Sequence, residues 1–537
     1  MSPTQRSILR VSPRYIAKAG KACPRGLAAK CRPGSRKPPD EPIKKKGPET
    51  FADQAVRDVL DLIVFEGMSV PDAHRRHRAS PPGSRCHAGL LRWVEHAVLG
   101  YLRADEALAH VSGRRLHPRS REWAVQYPIR PGPDDDVFEI RASGRWYESE
   151  DGDVREIRLL RTHSVDPDRR EVPPPQLPEL AAIAFVLVAG HTVIGPWSAP
   201  LVVSPAAAAV DRVRIVEIGL SDGSWDVVFD ETAPTVRRLY GEESRHVLRD
   251  VTEGTGYRPG RDCVRCPLRS DCPELVRRPG LLGIHDKSKP ARSWSVTTGR
   301  RYRTCPAQAH LRDLRLPYPD DREYGLDARR GKAVHHWLEH QHNRKPPRPC
   351  RPGDVPPGPS WWPAWEVTGR AALLGEQMIG DHSLRCPVRT MSGADTIRSE
   401  QDVVVYDPEA DVVVYASVDA LYTEGDIVVV RETKSTGQIH EGDLLDRYPQ
   451  IALALVLAAE GVFGPASRVE LERLTPAGPL VDRFSPDQDW LVARAREVVH
   501  QLAAPWHADL TMAAQPGDAC ETCEVALWCP DAKKDEE

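Results

Sequence analysis

A cysteine pattern that closes both halves of the chain constrains this sequence more than any other feature. C-x2-C-x5-C-P occurs at Cys263, Cys266 and Cys272 and again at Cys520, Cys523 and Cys529. Each triplet has a lone Cys-Pro far upstream, Cys23-Pro24 and Cys305-Pro306. Four thiolates drawn from the two ends of a segment tie those ends together, and closing so long a loop removes much freedom from the unfolded chain. Four soft ligands suit a 4Fe-4S cluster or a structural zinc ion. Zinc sites usually pair two short knuckles, whereas here three ligands are close and one is distant, which favours iron-sulfur and leaves zinc as the alternative. Cys31, Cys86, Cys350 and Cys386 stand outside this pattern and read as ordinary thiols.

The repetition extends beyond the cysteines. Ser12–Pro24 corresponds to Ser293–Pro306, and G-S-R-C-H at Gly83–His87 to G-K-A-V-H at Gly331–His335. Further on, Arg121–Trp123 parallels Ser399–Gln401, Glu139–Tyr147 parallels Val413–Tyr422, and Pro178–Ala184 parallels Pro449–Leu455. Landmarks recurring in one order predict two tandem modules. The first spans 1–275, a linker rich in Pro, Lys and Arg spans 276–292, and the second spans 293–537. A length of 537 residues agrees, because single cores stop growing well short of it.

Each module reads as α/β, a central mixed sheet flanked by helices. In the second, helical periodicity covers 293–314 and 327–342, β-rich runs follow near 401–407, 411–422 and 426–433, and a long helix covers about 441–460. The valine triplets in those runs suit strands buried on both faces. Pro178–Ala184 and Pro449–Leu455 read as amphipathic helices.

Net charge of -3 and a pI near 6.7 exclude a uniformly basic nucleic-acid coat. DNA binding would therefore depend on local basic grooves. One candidate is the N-terminal arm, where 13 Lys or Arg in the first fifty residues, Lys44, Lys45 and Lys46 among them, face three acids; a solvated arm is the alternative. Without an apolar run of about eighteen residues or a secretory leader, the chain is expected to be soluble and cytoplasmic. In a reducing compartment, clustered cysteines point to metal rather than disulfides.

Asp419 lies near the end of one β-run and Glu432-Thr433-Lys434 ends the next. Alternation along a strand puts Glu432 and Lys434 on one face and Thr433 on the other. Two converging carboxylates favour a hard cation such as Mg2+, beside which Lys434 can orient a water and add positive charge. His335, from the preceding helix, can complete the metal shell as a neutral imidazole. No phosphate-binding G-x4-G-K-[ST] loop is present, so the chain is not itself an ATP-driven helicase.

With Cys305-Pro306, the G-x2-V-H-x2-L-E string of Gly331–Glu339, Asp419, Glu432-x-Lys434, Gln450 and the terminal cysteine triplet, the second half resembles the RecB/AddB-like iron-sulfur branch of the PD-(D/E)XK nucleases. It is also similar to CRISPR-associated RecB-like exonucleases. The resemblance covers about 293–530. It implies metal binding by His335, Asp419 and Glu432, catalysis by Asp419, Glu432 and Lys434, and Mg2+ or Mn2+ dependence. Cleavage of DNA in repair, recombination or defence is implied as well, with a helicase as a possible partner. Gln450 would begin a DNA-binding Q-x3-Y motif, but Ala454 stands where the tyrosine belongs. Carried back to the first half, His87 and Glu122 keep their positions, while Arg145, Arg161 and His163 replace the aspartate, glutamate and lysine. Guanidinium cannot ligate Mg2+. That module is expected to be inactive, with Arg145 and Arg161 either meeting a DNA phosphate where the ion once sat or marking plain loss of function in a fold kept for structural support. The competing reading makes the whole chain a non-catalytic DNA-binding scaffold within a helicase-nuclease complex.

Overall fold

The computed structural model describes residues 8–33, 49, 51–111, 115–128, 137–195, 201–204, 209–318, 325–354, 361–393, 395–437 and 442–533. Lys44, Lys45 and Lys46 of the basic arm lie outside the described residues. The chain divides into two compact units. One comprises 1–274, 304–318 and 510–537, the other 275–303 and 319–509. Both cysteine sets thus fall in the first unit, and the acidic candidates fall in the second.

The first unit holds β1 (Ile8–Val11), β2 (Leu116–Arg119), β3 (Trp123–Pro128), β4 (Val137–Arg141), β5 (Arg145–Ser149), β6 (Val154–Arg161), β7 (His191–Ile194), β8 (Val202–Val203), β9 (Arg212–Gly219) and β10 (Trp225–Thr232). They form two sheets, ordered β1-β4-β3-β7-β8 and β10-β9-β6-β5-β2. The second unit holds β11 (Val276–Arg277), β12 (Arg292–Trp294), β13 (Ile397–Asp407), β14 (Val412–Glu424), β15 (Ile427–Ser435), β16 (Ser467–Thr475) and β17 (Gly478–Phe484). These make one sheet ordered β11-β13-β14-β15-β16-β17, with β12 also on β14. The architecture is mixed α/β, several mixed sheets flanked by helices.

One succession occurs in each unit. β5 and β6 pair antiparallel, helix Leu177–Ala189 crosses over, β9 pairs parallel with β6, and β10 returns antiparallel to β9. β14 and β15, helix Pro449–Ala459, β16 and β17 repeat those directions in that order. A parallel pair needs such a crossover, which is why each helix falls between the strands it covers. The valine triplets behave as their β-branching suggests: Val404, Val405, Val412, Val413, Val414, Val429 and Val430 are all buried.

Several local expectations change. Residues 293–314 are not continuously helical. Arg292–Trp294 pairs parallel with β14, and helices Val296–Thr304 and Pro306–Asp313 are separated at Cys305. A residue before proline is pushed out of the helical region, and Cys305 is extended at φ -161°, ψ 118°. Pro449 divides 441–460 in the same way, into Leu444–Arg447 and Pro449–Ala459. The two helices expected to be amphipathic are buried almost all round, Ile451 through Ala458 without a break. A helix covered on every side needs no polar face. Within 276–292, β11 pairs with β13, and Leu281, Leu282 and Ile284 are buried. Among the described residues, no helix is long and apolar enough to cross a membrane.

Helices Leu326–His342 and Gly369–His382 pack together beside the sheet of the second unit. Gly375 sets how closely: a Cβ there would lie 2.4 Å from Trp362 Cη2 and 2.7 Å from its Cζ3. Trp362 is buried among Val334, Met378 and Ile379, with little room to yield. Gly375→Ala should therefore lose about 1–3 kcal/mol to overpacking, more than the roughly 1 kcal/mol that alanine gains in a helix. Urea unfolding of the two proteins measures the difference.

Candidate active site

The antiparallel register of β14 and β15 pairs Ala420 with Arg431 and, continued by one residue, sets Asp419 across from Glu432. The Thr433 amide donates to Asp419 Oδ2 at 2.7 Å. Lys434 Nζ lies 2.8 Å from Glu432 Oε2 and 3.4 Å from Asp419 Oδ2, so one ammonium bridges both carboxylates. From helix Leu326–His342, His335 brings Nδ1 to 3.7 Å from Asp419 Oδ1. The four residues expected to bind metal or act in catalysis, His335, Asp419, Glu432 and Lys434, converge.

A fifth residue joins them. Glu400 on β13 shares with His335 and Asp419 a set of ligand atoms that all lie within 4.8 Å of one another. Its backbone takes φ 49°, a region few non-glycine residues enter and one often held at functional sites. The sequence reading used Glu400 only as a landmark, opposite Glu122. Its position one strand before Asp419 was the available signal.

Burial dominates the electrostatics. Glu432 is 3% exposed, and that burial, reinforced by repulsion from Asp419, pushes its carboxyl up to about 7 despite the lysine. Burial also raises the Glu400 carboxyl, again with Asp419 adding to it. Lys434 goes the other way from what burial would dictate, held above its ordinary value by Glu432 and Asp419. Burial lowers His335, leaving a neutral imidazole with a lone pair. Oxygen donors with one neutral nitrogen suit a divalent cation.

The cysteine sets have their own geometry. Cys305, Cys520, Cys523 and Cys529 line one pocket. Backbone amides point at the sulfurs, Gln515 N at 3.4 Å from Cys305 Sγ and Gly517 N at 3.5 Å from Cys520 Sγ. In the other set, Gly26 N and Arg258 N lie 3.3 and 3.4 Å from Cys23 Sγ, and Gly260 N lies 3.3 Å from Cys263 Sγ. A Cβ on Gly26 would fall 3.6 Å from Cys266 Sγ, which brings Cys266 to the same place. Cys350 and Cys386 are not solitary thiols. They meet His342 and His382 in a buried group of four potential ligands. Nothing in a linear pattern announces that group, because its members sit at the ends of two helices that meet only in the fold.

The first half places its candidates differently. Arg145 pairs with Arg158 across β5 and β6, so it does not stand opposite Arg161. Arg145 is 6% exposed and bonded to Asp61 at 2.7 Å, between Tyr101 and Phe65. That leaves a DNA phosphate no access to it. Arg161 bonds Glu217 and lines a small pocket with Arg14, Ala142, Ser143 and Glu179. His163 faces Glu171, Glu122 bonds Arg141, and His87 packs against His310 with Nε2 3.0 Å from the Met512 carbonyl. Among the described residues, no acidic pair corresponding to Asp419 and Glu432 lines that pocket. In the second half, Gln450 occupies the first turn of helix Pro449–Ala459, its Oε1 buried without a hydrogen bond, and Ala454 is buried in the core.

Residues 293–530 match the sequence model of the PD-(D/E)XK nuclease superfamily. That span contains His335, Glu400, Asp419, Glu432 and Lys434. The second half therefore carries a PD-(D/E)XK nuclease superfamily domain, a class of metal-dependent nucleases. No curated protein matches the chain. Among solved structures, the crystal structure of SSO0001 is similar at 14% identity, over 44% of this chain and 98% of that one, with a TM-score of 0.20.

A carboxyl that stays protonated to about pH 7 makes cation binding pH-dependent, since only the anion ligates. Mn2+ affinity should rise as pH is raised through 7 and level off above it, by at most about tenfold per pH unit for one linked proton. Calorimetric titration across that range should give this slope, and Glu432→Gln should flatten it.

Proposed function

We propose that residues 293–530 form a Mg2+- or Mn2+-dependent deoxyribonuclease that hydrolyses phosphodiester bonds from DNA ends. The observation that carries this reading is the meeting of Asp419 and Glu432 under one lysine, with His335 and Glu400 alongside. Asp419, His335 and Glu400 or Glu432 would hold the divalent ion, which when bound neutralises charge building on the phosphoryl oxygens and acidifies water. Lys434, kept protonated by its two acids, donates toward a phosphoryl oxygen or fixes a water's orientation. Neutral His335 offers a lone pair without adding charge. Gln450, whose buried amide oxygen lacks a partner, is assigned a DNA contact on the RecB/AddB-like reading.

The shared strand succession and the ordered landmarks support a tandem duplication. An arginine-lined pocket without an acidic pair supports an inactive first module that binds DNA or a partner such as a helicase. The cysteine chemistry fits two 4Fe-4S clusters, since each thiolate must hold its own iron around a central space and amide donors tune the sulfurs. Zinc in these sets remains the alternative ligand chemistry. Repair, recombination or defence in the cytoplasm is the setting this reading implies.

Full-length protein with Mn2+ should degrade end-labelled single-stranded DNA. Glu432→Ala and Lys434→Ala should each lower turnover by roughly 10²–10³-fold or more with unchanged circular dichroism. Retained activity would sink this site. Ala454 in place of the motif tyrosine favours a second reading, a non-catalytic DNA-binding scaffold, for which wild-type protein would bind such DNA without cutting it. Anaerobically purified protein should be brown, and Cys523→Ser should lose part of its iron, read by elemental analysis.

A further inference from the structure

Two histidines and two cysteines that the cleavage chemistry does not use meet in the interior of the second unit. His342 ends helix Leu326–His342 and Cys350 lies in the loop beyond it; His382 ends helix Gly369–His382 and Cys386 follows four residues on. All four are buried, at 6%, 3%, 0% and 2% exposure respectively. His342 Nε2 and His382 Nε2 are 3.1 Å apart, Cys386 Sγ is 3.8 Å from His342 Nε2, and all four ligand atoms lie within 4.8 Å of one another.

We propose that His342, Cys350, His382 and Cys386 form a structural Zn2+ site. A tetrahedral ion with Zn–N near 2.05 Å and Zn–S near 2.3 Å sets its nitrogens about 3.4 Å apart and each nitrogen about 3.6 Å from a sulfur. The observed separations already approximate that cage. Mixed imidazole and thiolate donors select zinc over the oxygen-seeking Mg2+ or Mn2+ of the neighbouring acids. With four protein ligands and no exposed face, the site has no open position for substrate, so its role is structural.

The surroundings support a metal rather than chance packing. His382 Nδ1 sits 2.9 and 3.0 Å from the two carboxylate oxygens of Glu472. Donation of the Nδ1 proton to that carboxylate fixes the tautomer and aims the Nε2 lone pair at the centre, the usual second partner of a zinc-bound histidine. The Cys350 amide lies 3.3 Å from Cys386 Sγ, a donor suited to a thiolate. Glu472 also accepts from Thr433 Oγ1 at 3.2 Å, and Thr433 stands between Glu432 and Lys434. The ion thus joins two helix ends and, through one carboxylate, braces the strand that carries the proposed nuclease residues.

The test uses the full chain, purified without chelator from zinc-supplemented medium, and needs no nuclease activity. Zinc and iron are measured by mass spectrometry in wild type, Cys350→Ser and His382→Gln. Wild type should hold one zinc per chain that each variant loses, with iron equal in all three. Equal zinc across the three proteins, or a Cys350–Cys386 disulfide in the purified wild type, overturns the site. Where a variant does not fold, zinc-edge X-ray absorption of wild type decides: nitrogen in the zinc shell supports the proposal, and a shell of sulfur alone, or no zinc, overturns it.

Discussion

The candidate site of the second unit carries a charge imbalance that its described residues leave unresolved. Asp419, Glu432 and Glu400 bring three carboxylates against the single ammonium of Lys434, so full ionisation leaves two negative charges in a half-buried corner. Like charges about 4 Å apart at an effective dielectric near 20 repel by roughly 4 kcal/mol, less where solvent screens them as at the exposed Glu400. Holding one proton on Glu432 relieves part of that cost, which is the direction its carboxyl moves. A divalent cation held there would relieve the remainder.

Strand alternation keeps this corner from collapsing. Glu432 and Lys434 project to one face of β15, while Arg431 and Thr433 project to the other. Arg431 is there fixed by Glu470 at 2.6 Å, by the Tyr422 hydroxyl at 3.0 Å and by the Arg385 carbonyl at 2.6 Å. A buried ion pair of this kind adds little net stability, since desolvation offsets the attraction, but removing one member would strand a charge. Its contribution is positional: the strand cannot slide or rotate without breaking several charged hydrogen bonds, so the reactive face keeps its spacing.

Much of this was legible because it depends on local periodicity. Valine runs marked the strands, and period-two alternation put Glu432 with Lys434 and Thr433 opposite, as the contacts to Asp419 and Glu472 bear out. The elements that escaped depend on register or on distant meeting points. Sequence likeness sets Arg145 against Asp419 and Arg161 against Glu432, yet the strand partner of Arg145 is Arg158 rather than Arg161. Glu400 needed the β13–β14 pairing to become a neighbour of Asp419. His342 and Cys350, His382 and Cys386 needed two helices to pack before either pair had a meaning. Helices 177–189 and 449–459 were given a polar face because their surroundings are invisible in the chain.

The two halves also show what one strand succession can carry once its charges change. In the first, Arg161 stands near the end of β6, where Glu432 stands in β15, and bonds Glu217, which also receives Arg170 at 2.6 Å. A guanidinium against a carboxylate needs neither a proton nor a metal ion, so the like-charge cost is absent there. Arg145 is likewise neutralised by Asp61. Each sheet tolerates its own filling because its core lies in the buried valines, isoleucines and crossover helix behind it, which leaves the charges of the corner free to differ between the halves.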